Sequence, residues 1–493
     1  MRSEIRCERL ESRRLLSAVS AAFDPSVGLL TVTGTENADQ IVLRRTVAGT
    51  LPSSQKLDVL VGKPARVVFS VRFDAVKQIT VNAGGGNDCV STAGTASDFV
   101  NQPMTFNGGS GNDTLKAAAS KTATIWGGTG NDTLIGGSNA DALSGDAGND
   151  WIVGGGGDDK LFGVDGDDYL NGGAGKDVML GGNGNDTFVA IDACTSDVLT
   201  GGPGNDIVWA DRGTGAARDI VSDASAYEAA RTVRLVTSFA NRVDKTLDGD
   251  RVVDPVTDVS YRSFAGRPLF GPGGPTASDI TQGSSANCWL LGQLGAVAQA
   301  APLTVRATVV DLADGTFAVA LGGSFYRVDA DLPVQADGAT PQFARTGTGG
   351  SLWVAIVEKA YATHRFAIAN GDYRGNYEDL CYGDPNELLT AVRATNMGWN
   401  YHPENSGVAF ANELFTQWNA RKAVAFSTGP CAIEGLVAQH TYTVTSVTRD
   451  TAGRVTSLCL RNPWGGASPF VDVTPQKLAG MEFWLTWGDV GAA

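Results

Sequence analysis

From Gly127 to Val189 the chain repeats every nine residues, seven times without a slip: GGTGNDTLI, GGSNADALS, GDAGNDWIV, GGGGDDKLF, GVDGDDYLN, GGAGKDVML and GGNGNDTFV. The sixth place is always Asp: Asp132, Asp141, Asp150, Asp159, Asp168, Asp177 and Asp186. The eighth is always apolar: Leu134, Leu143, Ile152, Leu161, Leu170, Met179 and Phe188. Copies out of register flank the array around Asp88, Asp113 and Asp206. A unit this short cannot bury its own apolar residue, so units must stack on one another. Glycines supply the turn, and the three-residue tail supplies a short strand with one side chain pointing inward. A turn and a strand in each unit wind into a parallel β-roll, with turns on one side recurring at every second unit.

The spacing also carries chemistry. Stacked Asp carboxylates and crowded glycine carbonyls form cages of hard oxygen, the ligand set of Ca²⁺ rather than of zinc. The pairs are Asp132/Asp150, Asp141/Asp159, Asp150/Asp168, Asp159/Asp177 and Asp168/Asp186, so at least five Ca²⁺ sites are expected. Asp113 and Asp206 in the flanking copies extend them. The pattern resembles the G-G-x-G-x-D-x-U-x repeat of the repeats-in-toxin family over residues 82–208. Three units depart from it, at Asn139, Asp146 and Val164. Asn139 replaces a Gly but tolerates left-handed backbone, whereas Val164, β-branched, is unsuited to positive φ and puts its turn in question.

Charge follows the repeats. The 493 residues carry 38 Lys+Arg and 53 Asp+Glu, a net −15. Residues 82–210 hold 17 Asp, no Glu, no Arg and four Lys, so this block alone is −13. Five bound Ca²⁺ would take it to about −3. Acidity of this kind argues against a nucleic-acid partner, because phosphate contacts need Lys and Arg. There is no run of about 18 apolar residues, so no transmembrane helix is expected. Seven widely spaced cysteines with no C-x-x-C pair give no disulfide framework.

Before the repeats, residues 23–81 alternate apolar and polar in short runs (GLLTVTG, DQIVLRR, KLDVLVG, ARVVFSVRF, KQITVNA), which read as strands forming an N-terminal β cap. Residues 1–22 mix Arg and Glu ahead of a short apolar stretch. Their LESRRLLS string resembles an element at the start of many large bacterial surface or exported proteins. An extracellular or cell-surface location, with a possible cell-surface association, is the expectation.

After residue 208 the rhythm stops. Residues 209–245 read as a linker and 246–493 as a mixed α/β domain. Helical spacing occurs at Cys288–Ala300, Leu352–His364, Asn386–Thr395 and Asn412–Ala420. Strand-like runs occur at Thr316–Leu321, Ser324–Val328, Ala423–Ser427, Tyr442–Thr448 and Ser457–Arg461. Three histidines exist. His364 reads as a surface or helix-end residue and His402 as part of a polar loop. His440 opens a strand, a good place from which to project a base. Cys288 stands where a Gly-containing loop meets an apolar helix, and the positive end of that helix should lower its thiol pKa. Gln282, six residues earlier, is an oxyanion donor candidate, and Asn462 can orient an imidazole without adding charge. Cysteine early, with His and Asn far downstream, is the papain-like order.

These residues sit in motifs that resemble the calpain family of cysteine endopeptidases. Gln282-Gly283-Ser284-Ser285-Ala286-Asn287-Cys288-Trp289-Leu290-Leu291 is similar to the family's Q-G-x-x-G-D-C-W-L-L, departing at Ala286 and Asn287. Gln439-His440-Thr441-Tyr442-Thr443-Val444 is similar to G-H-A-Y-S-V, and R-N-P-W-G stands intact from Arg461 to Gly465. YRVDADLPV, LWVAIVEKAYA and GNYEDLCYGDPNELLTAV resemble further family segments. The resemblance implies Cys288 as nucleophile, His440 as acid/base, Asn462 as its orienting group, Gln282 as oxyanion donor and Trp464 as a shield over the His–Asn pair. It implies a peptide or protein substrate. The architecture expected is multidomain: a parallel β-roll solenoid with an N-terminal β cap, then an α/β (α+β) papain-like calpain catalytic core. Two other readings use the same residues: a surface adhesion or scaffold protein with an inert protease-like domain, and a Cys-His acyl-transferase of transglutaminase type, which usually carries Asp where Asn462 stands.

Overall fold

A computed structural model describes residues 18–47, 55–93, 100, 102–117, 122–192, 196–212, 219–222, 232–240, 254–255, 257–284, 286–368, 377–402, 407–430, 435–465, 469–479 and 481–491. The export-type string and Cys7 lie outside the described residues. The chain divides into two units, Met1–Leu235 and Val236–Ala493.

In the first unit the nine-residue period becomes two sheets, of ten and eleven strands among the described residues. Successive repeats alternate between the sheets, so parallel neighbours come from every second repeat of the array. Leu134, Ile152, Leu170, Phe188 and Val208 stand in register in one sheet. Ile125, Leu143, Leu161, Met179 and Leu199 do so in the other. All seven eighth-place residues of the array are fully buried in one core. Full burial of a side chain of this size stabilises by about 2 kcal/mol. The runs before the repeats are strands of the same two sheets. Leu29–Thr35 and Gln78–Gly85 pair in parallel in one, and Gln40–Val47 and Cys89–Ala93 in the other. Antiparallel strands border this end: Ser20–Asp24 on one sheet, Gln55–Val61 and Arg66–Arg72 on the other. Strands also run beyond residue 208, through Ile207–Asp211, Ile220–Val221 and Val233–Val236.

The Val164 turn forms, contrary to expectation. Val164 takes φ 89° and Asp146, two repeats earlier, φ 71°. Parallel pairing fixes Val164 between Asp146 and Gly182, and this outweighs the local cost of a β-branched residue there. The weaker copy is that of Asn139, where no strand is formed from Gly136 to Asp141 and Asn139 does not take positive φ.

The second unit is mixed. Its helices are α1 (Cys288–Ala300), α2 (Pro302–Arg306), α3 (Trp353–Ile368), α4 (Pro385–Ala391) and α5 (Gly407–Asn419). Six strands make the sheet that carries the site: β1 (Thr395–His402), β2 (Ala423–Thr428), β3 (Thr441–Arg449), β4 (Val455–Arg461), β5 (Phe470–Val473) and β6 (Phe483–Asp489), in the order β1-β6-β2-β3-β4-β5. The helix expected over Asn386–Thr395 is shorter. Asp384 caps it, Pro385 begins it, and Arg393 at φ 57° follows its end, so Thr395 opens β1. α1 lies against β2 and β3. Gly292 permits this: a side chain there would collide with Thr441, and the Thr443 hydroxyl donates to the Gly292 carbonyl at 2.8 Å.

Candidate functional site

α1 begins at Cys288 because its first turn folds back on the loop before it, Leu290 and Leu291 donating to the Asn287 carbonyl at 3.0 and 3.1 Å. Asn287 does not cap the helix with its side chain. Its amide Nδ2 donates to Glu358 Oε1 instead, and Glu358 Oε2 accepts the Ala344 N–H at 2.7 Å. Burial pushes the Glu358 carboxyl up to about 8. The Asn that departs from the motif therefore sets a neutral donor against a buried acid. Other bonds fix the loop. The Gln282 N–H donates to the Pro463 carbonyl (2.6 Å), the Ser284 N–H to Gln342 (2.8 Å), and the Arg345 N–H to Thr281 (2.8 Å).

His440 stands immediately before β3. Its N–H donates to Thr428 Oγ1 at 3.0 Å, and the Thr428 N–H returns to the His440 carbonyl at 2.9 Å. Gln439 beside it takes φ 50°, a strained conformation for that residue. His440 Nε2 is 2.8 Å from Asn462 Oδ1, and the same oxygen accepts the Trp464 N–H at 2.9 Å. A carbonyl oxygen can only accept, so Nε2 carries the proton and Nδ1 is left as the basic nitrogen. The Trp464 ring lies 4.6 Å from the imidazole, centroid to centroid.

Gln282, Cys288 and His440 line one cleft of about 790 Å³, with Trp464 at its wall. Asn462 reaches it through the imidazole. The backbone of Thr441 is close enough to the Cys288 thiol to pull its pKa down. Sequence reasoning did not single out this neighbour, although it follows the histidine directly. The expected lowering of the thiol pKa is not found. Burial pushes the Cys288 thiol up, against N–H groups of Thr441, Trp289 and Cys288 that pull it down. Burial likewise lowers His440, offset in part by the bond to Asn462. Both shifts favour the neutral thiol and the neutral imidazole over an ion pair.

The other histidines lie elsewhere. His364 is neither superficial nor terminal: it is buried within α3, its Nδ1 2.9 Å from the Tyr326 hydroxyl, and burial lowers it to about 4. His402 ends β1 rather than lying in a loop. It is buried, with Nε2 2.9 Å from Glu413 Oε2. Two of the family-like segments meet at Lys359, which is fully buried and binds Asp329 Oδ1 at 2.6 Å and the Asp331 carbonyl at 2.7 Å.

In the first unit the repeat aspartates form two ladders of hydrogen bonds. Along one, the N–H groups of Asp88, Asp113, Asp132, Asp150, Asp168 and Asp186 each donate to Oδ1 of the next Asp, ending on Asp206, at 2.7 to 2.9 Å. Along the other, Asp141, Asp159, Asp177 and Asp197 donate in the same way, ending on Asp219. Asp197 and Asp219 were not among the expected ligands. They lack the glycine turn, but Asp197-Val-Leu-Thr and Asp219-Ile-Val-Ser keep the D-x-U-x tail, the signal that finds them.

The second carboxylate oxygen, Oδ2, of Asp88, Asp113, Asp132, Asp150, Asp159, Asp168, Asp177 and Asp197 is buried and accepts nothing. Asp141 differs: its Oδ2 accepts the Gly137 N–H at 2.6 Å. A Cβ built on Gly127 would come within 3.0 Å of both Asp132 Oδ2 and the Gly145 carbonyl oxygen. Gly154 (Asp159, Gly172) and Gly163 (Asp168, Gly181) show the same hollow. Carboxylate and carbonyl oxygens thus face hollows that only glycine leaves open. Among the described residues no three His, Cys, Asp or Glu side chains converge, so a cation here would draw on one or two carboxylates and on carbonyls, a set that fits Ca²⁺. Burial, reinforced by neighbouring carboxylates, pushes Asp159, Asp168 and Asp197 up to about 8 and Asp132 to about 7.

Comparison with known proteins agrees with both halves. Residues 260–471 match the model of the calpain family cysteine protease. Residues 105–120, 123–152, 153–188 and 196–215 match the RTX calcium-binding nonapeptide repeat. Curated relatives include calpain-9 of Mus musculus (26% identical over 45% of this chain and 36% of its own length) and calpain-12 of Mus musculus (29%, 43% and 31%). Calpain-A of Drosophila melanogaster is 23% identical over 43% of this chain and 27% of its own length. The chain thus spans about a third of the length of these relatives or less. Among the described residues no helix is long and apolar enough to cross a membrane. In one polypeptide, then, the chain joins RTX calcium-binding repeats in residues 105–215 to a calpain-family cysteine protease domain in residues 260–471.

Proposed function

We propose that the second unit is an active cysteine endopeptidase, that the roll binds at least five Ca²⁺, and that the protein works outside the cell or at its surface. The observation that carries the catalytic reading is the bond from His440 Nε2 to Asn462 Oδ1 in a cleft shared with Cys288. It leaves Nδ1 as a base in the cleft that Cys288 also lines. As Cys288 Sγ attacks the peptide carbonyl, Nδ1 takes the thiol proton. The S–C bond forms, and the oxyanion is held by the Gln282 side chain and the Cys288 N–H. His440 then gives its proton to the leaving amine as the C–N bond breaks. The same nitrogen activates the water that releases the acyl group and restores the thiol. Asn462 keeps the imidazole in this tautomer throughout, and Trp464 covers the pair.

In the roll, Asp113, Asp132, Asp150, Asp159, Asp168, Asp177, Asp186 and Asp206 hold the ions with the glycine carbonyls, and Asp88, Asp197 and Asp219 extend both ladders. Asp141, with both oxygens engaged, is the weakest ligand of the set. Bound calcium supplies positive charge among buried carboxylates that otherwise repel, and so orders the roll.

The test is casein hydrolysis by the full chain with calcium, with chelator, and by Cys288→Ala. Calcium-supported cleavage lost in the variant is expected. Folded protein that cleaves nothing would favour an inert scaffold, and amine incorporation in place of hydrolysis would favour a transferase.

A further inference from the structure

Trp399 is 63% exposed in the middle of an edge strand, an unusual place for a large apolar ring. Its surroundings give it a use. Strand pairing sets Trp399 opposite Thr486 and Tyr401 opposite Trp484. Ser427 is opposite Trp484 on the next strand and Thr441 beyond it. Residues paired in this way project from one face of a sheet. Five of these six line the cleft that holds Cys288, and the sixth, Tyr401, packs on Trp484 with centroids 5.3 Å apart. The opposite face of the same strands is closed by Phe426, Phe483 and Leu485 in a buried core. The shelf is therefore the open end of the cleft's own floor.

Its position relative to the chemistry follows from strand order. His440 stands at the head of β3, with β2, β6 and β1 on one side and β4, which leads to Asn462 and Trp464, on the other. Trp399 thus lies across from Trp464, three inter-strand steps (about 14 Å) across the sheet and three residues (about 10 Å) along it from the histidine, or about 17 Å in all. An extended chain covers that distance in about five residues. We propose that Trp399, with Trp484 and Tyr401, is a specificity-determining shelf that binds an aromatic side chain of the substrate about five residues from the scissile bond. This rests on the endopeptidase reading above and narrows it. The preferred substrate is an extended polypeptide segment with an aromatic residue at that remove, because a flat ring stacks on indole where an aliphatic one cannot.

The test uses the full chain with calcium and internally quenched decapeptides that share one scissile pair in an alanine background, with Phe moved through each other position. The wild type should favour Phe at a position four to six residues from the bond, on one side only, by about tenfold in kcat/KM, the scale of one stacking contact. Trp399→Ala should bring that Phe-to-Ala ratio to about one, mainly through KM, and Trp399→Phe should keep it above about threefold. A flat profile in the wild type, or a ratio that survives Trp399→Ala, overturns the shelf. A general loss of rate at an unchanged ratio does the same, since that is the mark of a structural role. If the wild type cleaves no peptide, the endopeptidase reading fails by itself. Fluorescence anisotropy of the labelled Phe peptide on Cys288→Ala, with and without Trp399→Ala, then decides the shelf. Equal affinities reject it, and weaker binding without the indole upholds it.

Discussion

The two halves of this chain place their functional groups in opposite ways. In the roll each Asp sits at a fixed place in a nine-residue unit, and its partner is the same atom two units further along the array. One local rule, repeated, builds both the core and the oxygen hollows. In the protease unit Gln282, Cys288, His440 and Asn462 are scattered along the sequence and meet only because α1 packs on β3 and the Pro463 carbonyl receives the Gln282 N–H. Damage to one rung of the roll should therefore be graded and local, whereas loss of one group in the cleft should be near total.

That contrast can be broken. Cys288→Ala should lower kcat/KM by at least about 10³-fold, the scale on which groups of one catalytic unit fail together. It should leave the calcium-induced circular dichroism change and the melting of the roll as they are. A variant that lost both would show that the halves are not independent. Next in size is the roll itself. Asp168→Ala removes a buried Oδ2 that accepts nothing, and the calcium-bound roll should lose about 2–3 kcal/mol of stability, the contribution of one ion near 100-fold its Kd. Asp141→Ala removes an oxygen already held by Gly137 and should cost calcium affinity less. Titration calorimetry and melting with and without calcium check both, and equal losses at the two positions would mean that the free oxygen is not what marks a site.

A smaller effect separates the neutral pair in the cleft from a preformed ion pair. Burial lowers His440, so its proton leaves at a lower pH and the basic Nδ1 survives into more acid solution. The acid limb of kcat/KM should have its midpoint below 6.5, the ordinary value for histidine. Asn462→Ala removes the hydrogen bond that favours the protonated ring and should move the limb further down. A midpoint at or above 6.5 would mean that burial does not govern His440, and an ultraviolet thiolate absorbance at neutral pH that is lost in Cys288→Ala would show a thiolate–imidazolium pair instead of the neutral one.

The same contrast explains what could be read from sequence. In the roll, period and apolar eighth place disclosed strands, core and Asp partners, because each is decided within one unit and repeated. What escaped there were Asp197 and Asp219, where the glycine half of the unit is gone, and Asp141, whose second oxygen depends on an irregular neighbouring turn. In the cleft, helix position, strand opening and chain order made Cys288, Gln282, His440 and Asn462 candidates with several chemistries open, and the motif likeness implied one role for each. The direction of the Cys288 shift was misread because helix position is local while burial is not. His364 and His402 were misplaced for the same reason: a helix running on to Ile368 and a strand ending at residue 402 bury rings that short windows leave outside. Trp399 gave no signal, since its neighbours Trp484 and Ser427 come from other strands.

The smallest effect concerns a residue that breaks the repeat's own rule. Val164 holds φ 89° where the fold favours glycine, and its side chain is exposed enough to bury little apolar surface. Its conformation is imposed by pairing with Asp146 and Gly182 on either side. A β-branched residue in this region costs about 1–3 kcal/mol, and glycine returns about 0.5–1 kcal/mol of that as lost backbone entropy. Val164→Gly should therefore stabilise the roll by about 1 kcal/mol, raising its melting temperature by a few degrees at fixed calcium. Gly182→Val should do the opposite and by more, because a Cβ there would meet the Val164 carbonyl. If Val164→Gly destabilised the roll, the valine side chain would be contributing packing that outweighs its backbone strain. The nine-residue pattern would then be a weaker guide to local energetics than its regularity suggests.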